Sequence, residues 1–105
     1  MTDVRVVLVT CKDEDQAGRI ARGLIEKKLA ACVNLLPQIR SLYVWQGKLE
    51  DTKETLLVAK TQAHLVKRLE EAVRRDHTYD CPEVLSMPVD QGFEPYLAWV
   101  RESTS

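Results

Sequence analysis

The stretch CVNLLPQIRSLYVWQGKLEDTKETLLVAKT, Cys32 to Thr61, decides the fold. Two long strand-like arms, Cys32 to Trp45 and Lys48 to Thr61, flank Gln46-Gly47, where a glycine supplies the positive φ that a tight hairpin turn demands. Pro37 has no N–H to offer a ladder, so the first arm is expected to bulge there or to run along a sheet edge. An exposed edge is a template for pairing, and Ile39, Leu42, Tyr43, Val44 and Trp45 are an apolar set to leave on one. Two readings follow: an ordinary hairpin packed on its own domain, or an arm that reaches into a neighbouring subunit.

Upstream, Val4 to Val9 is a β-branched run broken only by Arg5, short enough for a buried strand. Asp13 stands three residues before Gln16, a capping-box spacing, and Ala17, Ile20, Ala21, Leu24 and Ile25 then recur with helical period. This predicts an amphipathic helix to about Leu29. Downstream, Leu65, Val66, Leu69, Ala72 and Val73 stripe a second helix ending near Asp76. Pro82 to Val89 reads as a last short strand, and Pro95 suits the first turn of a closing helix carrying Leu97, Trp99 and Val100. The order is β, α, β, β, α, β, α. Its first six elements match the ferredoxin-like βαββαβ arrangement, an α+β fold in which two crossovers place two helices on one face of an antiparallel four-stranded sheet.

With 105 residues the chain has room for one domain, taken as residues 1–105. Its 15 basic and 16 acidic side chains leave a formal charge of −1, which excludes the basic excess of a nucleic-acid binder. No apolar run approaches the roughly 20 residues that cross a bilayer, and the start resembles neither a signal nor a transit peptide. The expectation is therefore a cytoplasmic protein with no membrane segment. Cys11, Cys32 and Cys81 are odd in number and form no C-x-x-C, so reduced thiols are expected.

Phosphate-loop, dinucleotide-binding and hydrolase motifs are absent, so no catalytic residue is assigned. The polar segment His77-Thr-Tyr-Asp-Cys-Pro-Glu83 is the one concentration of chemistry. Imidazole and thiol suit copper or zinc, yet two ligands make no site, and satisfied histidines and buried cysteines are commoner than ligands. The only other histidine, His64, reads as an exposed helix-start residue. Cys11 follows the first strand just before a helix start, where the dipole can favour thiolate for a soft metal or a nucleophile. Cys32, in an apolar passage, reads as core. Lys60 ends an apolar strand, where it is either solvated or reaches an anionic ligand together with Tyr43, Trp45 and Tyr79.

The strings Lys28-Leu-Ala-Ala-Cys-Val-Asn-Leu-Leu-Pro37, Ser41-Leu-Tyr-Val-Trp-Gln-Gly-Lys-Leu-Glu50, Lys60-Thr61, His77-Thr-Tyr-Asp-Cys-Pro-Glu83 and Tyr96-Leu-Ala-Trp99 together resemble the CutA family of divalent-cation tolerance proteins, in order and from Val6 to Val100. The resemblance implies a ferredoxin-like subunit and a homotrimer whose long hairpins pack across subunit boundaries. It also implies a link to copper and other divalent metals, and a trimer architecture shared with PII-type signalling proteins. The copper-ligand pattern proposed for some bacterial members falls here on Val9, Asp76 and His77, so only His77 carries over; Cys11, on the same strand face as Val9, is the candidate substitute. The expected function is that of a non-enzymatic homotrimer in divalent-cation tolerance, with its own copies and divalent metal ions as partners. It requires no cofactor, and any copper or other divalent ion would be held by His77, Cys11 and Glu83, with Asp80 nearby. The alternative is a PII-like small-molecule sensor that uses a subunit-interface crevice lined by Tyr43, Trp45, Lys60 and Tyr79.

Overall fold

The computed structural model describes residues 1–105: β1 (Val4–Cys11), α1 (Glu14–Glu26), β2 (Cys32–Trp45), β3 (Lys48–Gln62), a 3-10 turn (Ala63–Leu65), α2 (Val66–Asp76), β4 (Val84–Pro88) and α3 (Glu94–Ser103). The four strands form one antiparallel sheet in the order β2-β3-β1-β4. β1 and β2 are thus parallel with β3 between them, and α1 makes the crossover; β3 and β4 repeat the relation across β1 with α2. This is the α+β, split βαβ arrangement expected from the element order.

Opposed residues share a sheet face. Val7, Val9, Cys11, Leu57 and Ala59 point to the side where α1 and α2 lie, and close the main core with Ala17, Ile20, Leu24, Leu69 and Val73. α1 begins as read: the Asp13 carboxylate accepts from the Gln16 N–H at 2.8 Å. It ends at Glu26 instead of Leu29, because Lys28 takes a left-handed φ of 57°. The Lys28 and Leu29 N–H groups then return to the carbonyls of Ile25 and Leu24, closing the helix in a Schellman pattern.

The hairpin follows its sequence. Gln46 and Gly47 both have positive φ, 52° and 81°, the geometry of a type I′ turn. β2 is an edge strand and is also bulged, since the register passes from Leu36↔Leu56 to Ile39↔Glu54 and leaves Pro37-Gln38 opposite Thr55 alone. β1 pairs with β3 only from Thr55 onward, so the hairpin beyond Glu54 runs out as a two-stranded arm. The molecule is accordingly elongated, 44 × 26 × 22 Å.

The sheet's second face is covered unevenly. At one end α3 packs Leu97 and Val100 on Val4. Over the middle, Val6, Leu8, Leu56 and Val58 are only half-buried, and Leu36, Leu85 and Met87 are exposed. On the arm, Val44 and Leu49 are 68% and 72% exposed. Cys32 is no core residue: it pairs with Lys60 on this second face, half-buried against the Tyr96 hydroxyl, which burial and the Cys32 thiol raise above its ordinary pKa.

Candidate functional site

The segment after α2 is tied down at three points. The Tyr79 N–H donates to His77 Nδ1 at 3.1 Å, so that nitrogen carries the lone pair, and Nε2 carries the proton that reaches the Thr10 carbonyl at 2.7 Å. Gln16, buried at the start of α1, accepts from the Lys12 N–H through Oε1 and donates from Nε2 to Thr78 Oγ1 at 2.8 Å. The Tyr79 hydroxyl donates to Glu54 Oε2, also at 2.8 Å. Burial and the Glu54 carboxylate raise the Tyr79 phenol well above its ordinary pKa, with smaller contributions from Tyr43 and Cys11.

So held, the segment forms one wall of an open cleft of about 930 Å³, and the hairpin arm forms the other. Ser41, Tyr43 and Trp45 stand on β2, Thr52, Lys53 and Glu54 on β3, and Tyr79, Asp80, Cys81 and Glu83 on the far side. Thr52 Oγ1 is shielded from solvent and has no hydrogen-bond partner.

Of the residues chosen from sequence, the cleft gathers Tyr43, Trp45, Tyr79 and Glu83 and leaves out Lys60, His77 and Cys11. Lys60 pairs with Val6 and Cys32 near the other end of the sheet and donates to Asn34 Oδ1; the cations that line the cleft are Lys12 and Lys53. Cys11 does not precede the helix as an exposed thiol. It is the last residue of β1, 0% exposed on the same face as Val9. Burial pushes its thiol up to about 11, with the Glu54 and Asp13 charges adding to the rise, opposite to the dipole effect expected of a helix start. His64 is exposed in the 3-10 turn, and Cys81 is exposed on the cleft wall.

A divalent ion finds no ready place among these donors. No three His, Cys, Asp or Glu side chains cluster as a metal site. His77 has both ring nitrogens in hydrogen bonds, and Cys11 is a buried, protonated thiol. The set His77, Cys11 and Glu83 therefore does not fit a metal ion in this geometry.

Two residues that shape the cleft were missed by sequence reading: Glu54, which lines it, and Gln16, which holds its wall through Thr78. Glu54 sits in a strand of alternating polarity and gives no motif; Gln16 was read as half of a cap, which it is, without its link to Thr78. A carboxylate just beyond a proline bulge, on the partner strand, was the available signal for Glu54.

The profile of the CutA1 divalent ion tolerance protein matches residues 5–103. Protein CutA of Homo sapiens is 52% identical over 101 residues, which cover 96% of this chain and 56% of that protein, so the chain spans little more than half the length of this relative. The divalent-cation tolerance protein CutA of Thermus thermophilus is 43% identical over 94% of this chain and 96% of its own length. The crystal structure of CutA from Xylella fastidiosa superposes with a TM-score of 0.97 at 38% identity, covering 99% of this chain and 100% of that one. The match of pattern, sequence and fold runs from β1 through α3, and this chain belongs to the CutA1 divalent ion tolerance protein family.

Proposed function

We propose that this protein serves divalent-cation tolerance as a non-enzymatic, cytoplasmic homotrimer. The observation that carries the assembly is the open middle of the sheet beside a two-stranded apolar arm: Leu36, Leu85, Met87, Val44 and Leu49 are exposed in the single chain, and a two-stranded arm is marginal on its own. Three copies burying these faces around a closed axis would satisfy both arm and face. Against catalysis stand the thiols and imidazoles themselves. Cys11 is buried and protonated, His77 has no free nitrogen, and Cys81 has no base hydrogen-bonded to it. Metal contact, in this reading, is weak and falls to the exposed carboxylates of Asp80 and Glu83.

Native mass spectrometry with copper and zinc titration tests the proposal. Expected is a threefold mass, with metal uptake that is weak and unchanged by His77→Ala. A single-chain mass at micromolar concentration would sink the trimer. One tightly held copper per subunit, lost in His77→Ala, would restore a histidine-centred site in place of the carboxylates.

A further inference from the structure

Glu54 is a buried carboxylate whose bond to the Tyr79 hydroxyl occupies only one of its two oxygens. It is 6% exposed, opposite Ile39 just past the bulge, and it lines the cleft. Its Oε2 accepts from the Tyr79 hydroxyl, while no protein group donates to Oε1. Lys12 and Lys53 line the same cleft, but neither forms an ion pair with it. Because Oε1 lacks a protein donor, a cation that enters the cleft can pair with it directly.

The surroundings select the kind of cation. Tyr43, Trp45 and Tyr79 present aromatic rings around the cleft, and ring faces attract organic cations. Tyr79 touches the carboxylate through its hydroxyl, and Tyr43 and Trp45 line the same cleft from β2. A metal ion would lack a ligand trio. An anion would meet Lys12 and Lys53 but also Glu54, Asp80 and Glu83, so the acidic side chains outnumber the basic ones in the cleft. The volume of about 930 Å³ lies within the roughly 300–1,000 Å³ of small-molecule sites. The geometry points to a binding site for a small organic cation, an alkylammonium or alkylguanidinium whose charged head meets Glu54 and whose chain lies along Tyr43 and Trp45. The same chemistry is available from a lysine or arginine of a second copy, and the experiment separates the two sources.

Calorimetric titration of the assembled protein with n-butylammonium, n-butylguanidinium, n-butyrate and n-butanol decides it. The two cations should bind saturably, and butyrate and butanol should not. Glu54→Gln, which keeps an acceptor for the Tyr79 hydroxyl, should weaken cation binding by about tenfold or more without changing native mass or thermal midpoint. Glu83→Gln, on the exposed rim, should change it by about twofold at most. Absence of saturable cation binding, or equal binding by Glu54→Gln, overturns the site. A smaller assembly in Glu54→Gln also overturns it, by assigning the carboxylate to a cation of a second copy. None of these readings depends on the copper titration, so the site and the proposed function fail separately.

Discussion

Replacing His77 by alanine removes both the acceptor of the Tyr79 N–H and the donor to the Thr10 carbonyl, leaving two polar backbone groups to find water. The expected loss is about 1–3 kcal/mol, read as a lower denaturant midpoint at unchanged slope, and His64→Ala, at an exposed position, should cost far less. Equal midpoints would mean that the loop stays closed without its histidine. The importance of His77 was legible in sequence, but its role was not. A histidine that ligates and one that pins a loop look alike until the partners of both nitrogens are placed. Cys11 makes the same point through two residues of strand length. Its burial at the end of β1 holds the thiol protonated up to about 11, against an ordinary value of 9.0. A folded-state pKa raised above the unfolded one gives stability that is full below pH 9 and drains away as pH rises toward 11. The wild type should therefore lose more stability across that window than Cys11→Ala does, measured by urea unfolding at each pH. Iodoacetamide at pH 8 should label Cys81 and spare Cys11 in the native protein, and rapid native labelling of Cys11 would contradict its burial.

At the scale of elements, three non-glycine residues hold left-handed backbone: Lys28 at the end of α1, Gln38 in the bulge and Gln46 in the hairpin turn. Each costs roughly 1 kcal/mol relative to a residue at ease there. Lys28→Gly should raise stability by up to about 1 kcal/mol, since the Schellman bonds at that helix end already exist and only the Cβ penalty is removed. Gln46→Asn, which gives the Asn-Gly pair preferred in type I′ turns, should raise the thermal midpoint, whereas Gly47→Val, at φ 81°, should lower it by more. A neutral Lys28→Gly would mean that strain at this end is relieved elsewhere. The same residues explain which boundaries were legible. Gly47 announced the turn and Pro37 the bulge through chemistry that no other side chain supplies. Lys28 announced nothing, so the helix was read three residues too long.

At the scale of the molecule, the arm and the open sheet face make one argument about what the chain does with apolar surface. Element order and sheet topology were legible because period and punctuation agree along the chain, and the helix-side core followed from them. The cleft was legible only in part: Tyr43, Trp45 and Tyr79 were grouped from sequence, but the link of Glu54 on β3 to Tyr79 after α2 was not, because strand register sets that pairing. Val44 tests the larger reading, because it is 68% exposed on the arm and its side chain supports little within the single chain. If three copies bury the arm, Val44→Asp places a charge in the joint and should shift sedimentation equilibrium toward single-chain mass at micromolar concentration, while far-UV dichroism keeps the α+β signature. Unfolding of the wild type should then depend on protein concentration, rising in midpoint as the concentration rises, and that of the dissociated variant should not. A Val44→Asp protein that stays assembled would place the joint on the sheet face around Leu85 and Met87 instead, and Met87→Lys would be the variant that divides it.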